Sequence, residues 1–362
     1  MPLLSYRSPL TETRNSALSF VLRVVSGFTD QEIERARRYH RPRYVALVVD
    51  LLVSVVVLGA LTQLSLPLLV APPVVAAIVG TASLPVAWWR YRHDVEWGFA
   101  TQTPVGWATD RVKEIAINAA LLLLALAPLF WLARRYPHGW AWPAAAGAAV
   151  LVFLLGFLAP VVLEPLFNRF RPLEDEALAV RLHALAERAG APVREILVAD
   201  ASRRTTKTNA YVSGIGSTRR VVLWDTLLAT PDDQIAVVLA HELGHRVRRH
   251  VAVLTALAMT GAAGFVVALR FLRPHPAPRD TAFILLLGLV LGLVVLPFQN
   301  ALLRRFEREA DRFSLAVTGD RAGYRALHHD LATVNLGDLS PPKWLYYWLF
   351  SHPTAPERLS DA

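Results

Sequence analysis

The chain has 362 residues, 54% of them hydrophobic, a formal net charge of +9 and no cysteine. With a mean hydropathy of +0.36 it is too apolar for a soluble enzyme of this length, and the missing cysteines exclude disulfides and thiolate metal ligands. The basic charge lies in loops between apolar runs and not in an aromatic-basic module, so nucleic-acid binding is not expected.

Residues 1–43 carry no apolar core of the kind found in cleavable signals, so the chain is expected to keep its N-terminus. Arg35, Arg37, Arg38, Arg41 and Arg43 close this segment. Apolar runs near the length of a bilayer span follow at 44–64, 74–89, 115–132 and 140–163, and again at 251–272 and 281–303. The second is short and contains Pro85. Arg90, Arg92, Arg111 and Lys113 follow the second run and Arg169 and Arg171 the fourth, whereas 65–73 is uncharged. Alternation of basic and uncharged loops predicts that both termini face the cytoplasm, Arg134, Arg135, Arg273 and Arg279 being exceptions to the pattern.

Between the fourth and fifth runs the chain turns polar. Residues 174–189 read as an amphipathic helix stopped by Gly190 and Pro192. Residues 195–198 read as a strand. Residues 209–213 and 220–224 read as two strands of a hairpin around the glycine-containing segment 214–218. Either this hairpin simply packs, or its edge pairs with an extended peptide through main-chain hydrogen bonds. Thr230, Pro231, Asp232 and Asp233 then predict a capped helix start, and the apolar stretch 235–240 predicts that the helix is buried.

That helix carries His241-Glu242-Leu243-Gly244-His245. Positions i and i+4 share a helix face, so both imidazoles can reach one metal ion, with Glu242 beside them as general base. Buried without such a partner, these groups would be costly. A catalytic zinc takes a third protein ligand. Glu307 and Asp311, four apart, share a face, and Glu309 points elsewhere. We assign Glu307 to the metal and Asp311 to a hydrogen bond that fixes the tautomer of a ligand histidine. Because 251–272 follows the motif closely and 281–303 precedes Glu307 closely, the chemistry is expected at the membrane face.

These residues resemble the type I CAAX prenyl endopeptidases, integral-membrane zinc proteases, and more distantly the HtpX membrane proteases. The resemblance runs over roughly residues 90–360. It takes in Trp97-Gly98-Phe99-Ala100-Thr101-Gln102, Glu164-Pro165-Leu166-Phe167-Asn168-Arg169-Phe170, Asn209-Ala210-Tyr211, the histidine motif, Glu307 to Asp311, Ser351-His352-Pro353 and Glu357-Arg358-Leu359. It implies His241, His245 and Glu307 as zinc ligands and Glu242 as the catalytic glutamate. It further implies that His352 stabilises the oxyanion, that Arg358 orders the site, and that Asn209 and Ala210, with Tyr211 beside them, align the substrate. Two features depart from the family: six spans are read where the eukaryotic enzymes have seven, and Arg246 stands where a bulky aromatic usually follows the motif.

The expected protein is a mostly α polytopic membrane bundle of about six spans, with a cytoplasmic zinc-peptidase domain containing a small β-sheet. Its expected organisation is a basic cytoplasmic segment (1–43), four spans (44–163), a catalytic part with the metal helix (164–250), two spans (251–303) and a C-terminal part with the third ligand (304–362). Its expected activity is zinc-dependent cleavage of lipidated or membrane-anchored protein substrates at the cytoplasmic side of the cell membrane. A membrane-protein quality-control protease and a metal-binding channel or transporter are the alternatives.

Overall fold

The computed structural model describes residues 27–193, 195–213 and 220–361. Most of the basic N-terminal segment and the 214–218 turn therefore lie outside the described residues.

The membrane part begins with α1 (Asp30–Leu61), opened by a Thr29–Glu32 capping box that satisfies two of the orphan amides of its first turn. Next come α2 (Ala71–Ala82) and α3 (Leu84–Glu96), then α4 (Pro104–Arg135) and α5 (Ala141–Val162). After the polar segment, α8 (His250–Leu272) and α9 (Thr281–Thr318) complete the bundle. Among the described residues, five helices (α1, α4, α5, α8 and α9) are long and apolar enough to cross a membrane. The run expected as a second span, 74–89, is broken. It divides at Ser83, just before Pro85, into α2 and α3, bent by 45° to each other, so that up to six spans are present if the pair counts as one. Proline at position i removes the amide that would bond to i−4, which accounts for a break here. Three of the other helices run well past the apolar runs read from sequence: α1 starts fourteen residues before its run, α4 eleven before, and α9 continues fifteen beyond. Their polar ends are still helical because they pack on the soluble part.

The soluble part is built on a four-stranded sheet of order β1-β2-β4-β3, from β1 (Phe170–Pro172), β2 (Ile196–Ala199), β3 (Ala210–Ser213) and β4 (Arg220–Trp224). The expected hairpin is its β3–β4 half, antiparallel with Ala210 opposite Leu223. To it are added parallel β2 and antiparallel β1, and β1 was not foreseen. Helix α6 (Glu176–Arg188) lies over the sheet. Its Leu182 and Leu185 join Val221, Leu223, Ile235, Leu239 and Leu243 in the main soluble core. At about 1.5–3 kcal/mol for each fully buried aliphatic side chain, this cluster ties the metal helix to the sheet.

That helix, α7 (Asp232–Val247), starts one residue later than expected. Pro231, not Thr230, is its N-cap and no side chain caps it, so the capping hydroxyl read from the sequence is not used. Helices α10 (Arg321–Val334), α11 (Lys343–Leu349) and α12 (Ala355–Asp361) then wrap the C-terminal chain back over the site.

Candidate metal centre

Two helices meet to make the site. α7 carries His241, Glu242 and His245; α9 carries Glu307 and Asp311 beyond its apolar length. They approach closely at Gly244, where a Cβ would stand 3.0 Å from the Ala310 Cα and 3.2 Å from Phe313. The Ser314 hydroxyl donates to the Val237 carbonyl at 3.0 Å and fixes the helices further along. The glycine inside the histidine motif is thus a packing requirement, set by the residue next to Glu309.

The contact brings one ligand atom from each of His241, His245 and Glu307 within 4.8 Å of one another. The Nε2 atoms of the two histidines are 3.1 Å apart. Glu307 Oε2 is 3.3 Å from His241 Nε2 and Oε1 is 3.4 Å from His245 Nε2. Tetrahedral ligands about 2.0–2.1 Å from a zinc ion stand roughly 3.3 Å from one another, so these residues fit a metal without rearrangement. Two imidazoles and one carboxylate are also a common donor set for catalytic zinc.

The surroundings orient these three side chains. His241 Nδ1 pairs with Asp311 Oδ1 at 2.8 Å, which leaves Nε2 for the metal. Arg358, buried on α12, donates to Asp311 at 2.6 Å and to Glu307 at 2.8 Å with two nitrogens of one guanidinium. Burial opposes charge on His241, yet hydrogen bonds to Asp311 and Glu307 outweigh it and raise the pKa to about 10. The site is therefore built to hold positive charge, a demand that a divalent ion meets. Burial also pushes the Glu242 carboxyl above its ordinary range, opposed in part by His241 and His245. His352 reaches the cluster from an exposed loop, its Nε2 3.4 Å from Glu307 Oε1. Ser351 Oγ lies 2.7 Å from its Nδ1; with the hydroxyl donating, the imidazole proton stays on Nε2 and faces the site.

The edge of the sheet closes the other side. The Trp224 amide donates to the Asn209 carbonyl at 3.0 Å, so Asn209 and, by the two-residue period, Tyr211 turn their main chains toward β4. Ala210 and Val212 turn theirs to the open edge. The Val212 amide donates to Glu242 Oε2 at 3.0 Å, and the Ala210 amide donates to Asn209 Oδ1 at 2.9 Å. Of the three substrate residues expected, only Ala210 presents main chain to the cleft. Asn209 reaches that edge only with its side chain, and the Tyr211 hydroxyl is held by Glu164 at 3.1 Å. Asn335 was not foreseen: its amide accepts from the Thr208 N–H and donates to the Thr208 carbonyl, both at 2.9 Å, ending the free edge there. His328 was also missed. It lines the same pocket, of about 430 Å³, with Leu327 and Leu331. Val212 was open to reading from strand alternation, whereas His328 lies within α10 and Asn335 just past its end, and neither carries a signal of its own.

The family model described as peptidase family M48 matches residues 172–362, more than half of the chain. The chain belongs to peptidase family M48. A second model, described as the CAAX prenyl protease N-terminal region with five membrane helices, matches residues 69–169. The chain is 33% identical over 307 residues to the uncharacterized metalloprotease YhfN of Bacillus subtilis, covering 80% of this chain and 71% of that one. It is 28% identical over 328 residues to the CAAX prenyl protease 1 homolog of Taenia solium, covering 77% and 68%. The crystal structure of S. mikatae Ste24p has the same fold, with a TM-score of 0.78 at 23% identity over 92% of this chain and 89% of that one. This M48 protein is a multi-pass membrane metalloendopeptidase. Neither alternative reading, quality-control protease or metal-carrying channel, finds support in these matches.

Proposed function

We propose that the protein is a zinc endopeptidase that cleaves lipidated or membrane-anchored polypeptides at the cytoplasmic face of the cell membrane, with His241, His245 and Glu307 as ligands. One observation carries this reading: three ligand atoms within 4.8 Å, flanked by a carboxylate that is bonded to the open edge of a sheet. The ion, when bound, polarises a peptide carbonyl and makes water acidic near neutral pH. The side chains supply the rest. Ala210 and Val212 pair with the substrate backbone and hold it extended across the site. Glu242 takes a proton from the attacking water as the new C–O bond forms, and delivers it to the amine as the C–N bond breaks. The His352 N–H donates to the charge that develops on the carbonyl oxygen. Arg358 offsets the negative charge of Glu307 and Asp311 and keeps both in place.

The substrate class follows from position. Both metal-site helices run into apolar segments: α8 starts five residues after His245, and Glu307 lies on α9 itself. A lipid or membrane anchor would raise the local concentration of a peptide at this depth. The Taenia relative's name, CAAX prenyl protease 1 homolog, supports the lipidated form, and the basic loops support the cytoplasmic side.

The deciding experiment uses purified protein in detergent with a farnesylated CAAX peptide, its unprenylated twin and an unfolded membrane protein. One zinc per chain and preferred cleavage of the farnesylated peptide are expected. Alanine at His241, His245 or Glu307 should abolish both. Equal cleavage of the prenylated and plain peptides would remove the lipid from the proposal, and metal that persists without Glu307 would remove the ligand assignment.

A further inference from the structure

The second ligand histidine has a support that the motif does not announce. His245 Nδ1 lies 3.0 Å from His250 Nδ1. His250 Nε2 lies 3.2 Å from Glu309 Oε2, and the other Glu309 oxygen accepts from Arg305 Nε at 2.9 Å. In a continuous helix, residues five apart point to different faces. They meet here because α7 ends at Val247 and the next helix begins at His250, with Arg249 between them at φ +58°. A left-handed non-glycine residue is sparsely populated, and such residues gather at functional sites. Phe306, the neighbour of Glu307, lies flat under the His250 ring with centroids 4.0 Å apart and planes 4° apart. His250 is 2% exposed, so its two nitrogens are committed to these partners.

The direction of the chain of bonds is determined. A metal on His245 Nε2 leaves the proton on Nδ1, which donates to His250 Nδ1. That nitrogen must then be unprotonated, so the His250 proton is on Nε2 and is donated to Glu309. Each link is satisfied once, and none competes with the metal.

We propose that His250 is a positioning residue for the metal: through Glu309 it fixes the tautomer and ring orientation of His245, as Asp311 does directly for His241. The inference rests on His245 being a ligand, as proposed above, and adds two residues that neither the motif nor the ligand set contains. Glu309, off the ligand face, thereby acquires a role at one remove.

The test reads metal affinity, with no peptide present. Zinc dissociation constants are measured by competition with a chromophoric chelator for wild type and for His250→Ala, His250→Asn, His250→Gln and Glu309→Gln, with cobalt absorption spectra as a second readout. Partners of this kind typically contribute about 10–100-fold in affinity. His250→Ala should weaken zinc binding by that factor and broaden the cobalt spectrum. The amide oxygen of asparagine occupies the position of Nδ1 and can accept from His245, so His250→Asn should restore most of the affinity. Glutamine places its amide at the Nε2 position, so His250→Gln should restore little, although it fills more space. Glu309→Gln should fall between wild type and His250→Ala. Equal rescue by asparagine and glutamine would show a merely structural role and overturn the proposal. So would a wild-type constant in His250→Ala or, should that variant not fold, in Glu309→Gln. Zinc binding as tight as wild type in every variant would sink this inference alone. No zinc binding by wild type would sink the ligand reading beneath it.

Discussion

The Val212 amide donates to the carboxylate of Glu242 at 3.0 Å, so the open strand edge and the proposed general base are already bonded before any peptide arrives. A substrate strand must compete for that amide, and in doing so it frees a carboxylate oxygen beside the metal position. Substrate pairing and release of the base are one event.

Glu242→Gln tests the base. The amide can still accept from Val212 and preserves volume, so zinc content should not change while hydrolysis falls. The loss should be about 10²–10⁴-fold in kcat, the usual contribution of general acid–base catalysis. Full turnover by this variant, with zinc bound, would eliminate the mechanism.

Arg358→Ala tests how the site tolerates its own charge. Removing the guanidinium leaves Glu307 and Asp311, each less than a tenth exposed, facing each other with one compensating cation fewer. Breaking a buried pair from one side typically costs about 3–5 kcal/mol. The zinc-free protein should therefore show a lower midpoint of thermal unfolding, and added zinc should recover part of it. An unchanged midpoint would mean that the carboxylates are relieved some other way.

Gly244→Ala is a test of helix approach. Alanine favours a helix over glycine by about 1 kcal/mol, so on a free surface this change would stabilise. Here the new methyl meets backbone at Ala310. Overpacking of this kind costs about 1–3 kcal/mol, and the helices must separate at the very level of the proposed ligands. Lower stability together with weaker zinc binding is expected, and calorimetry with metal titration would show both. A more stable variant with normal affinity would contradict the packing account.

His328 gives the protein an acid limit. Burial first, and then the positive charge of Arg358, depress its pKa to about 3. The unfolded chain binds this proton near pH 6.5 and the folded chain resists it, so stability should be complete above about pH 6.5 and decline as the pH falls toward 3. Thermal unfolding of zinc-free His328→Leu across that range should show a shallower pH dependence than wild type. Parallel curves would assign the acid limit to other groups.

How much of this was legible in the chain depends on the range of the interaction concerned. The pairing of His241 with His245, and of Glu307 with Asp311, follows from helical period alone, and both pairs are placed as expected. That α7 is buried also followed from its composition. His250 was hidden, because the left-handed turn at Arg249 carries no glycine to mark it. β1 was hidden because three residues ending in proline do not read as a strand, and it exists only through its pairing with β2. The break at Ser83 was half visible: Pro85 weakened the run, but the bend itself depends on what α2 and α3 pack against. His352, Arg358 and Asn335 reach the site from the last thirty residues, by a return of the chain that no local pattern encodes.

The 38-residue helix α9 also has a mechanical consequence. It is one helix, Pro297 included, with its N-terminal part in the lipid and the proposed ligand Glu307 past that proline, while the two other proposed ligands stand on a helix packed in the soluble core. From Pro297 to Glu307 the rod is about 15 Å long. A tilt of about 4° would sweep Glu307 by roughly 1 Å, and hydrophobic mismatch is a known cause of tilt. Misplacement on that scale can cost about 10²-fold in rate. The thickness of the surrounding bilayer thereby becomes a variable of the active site, and turnover in vesicles of graded acyl-chain length should pass through a maximum; a flat profile would mean that the Gly244 contact holds the rod still.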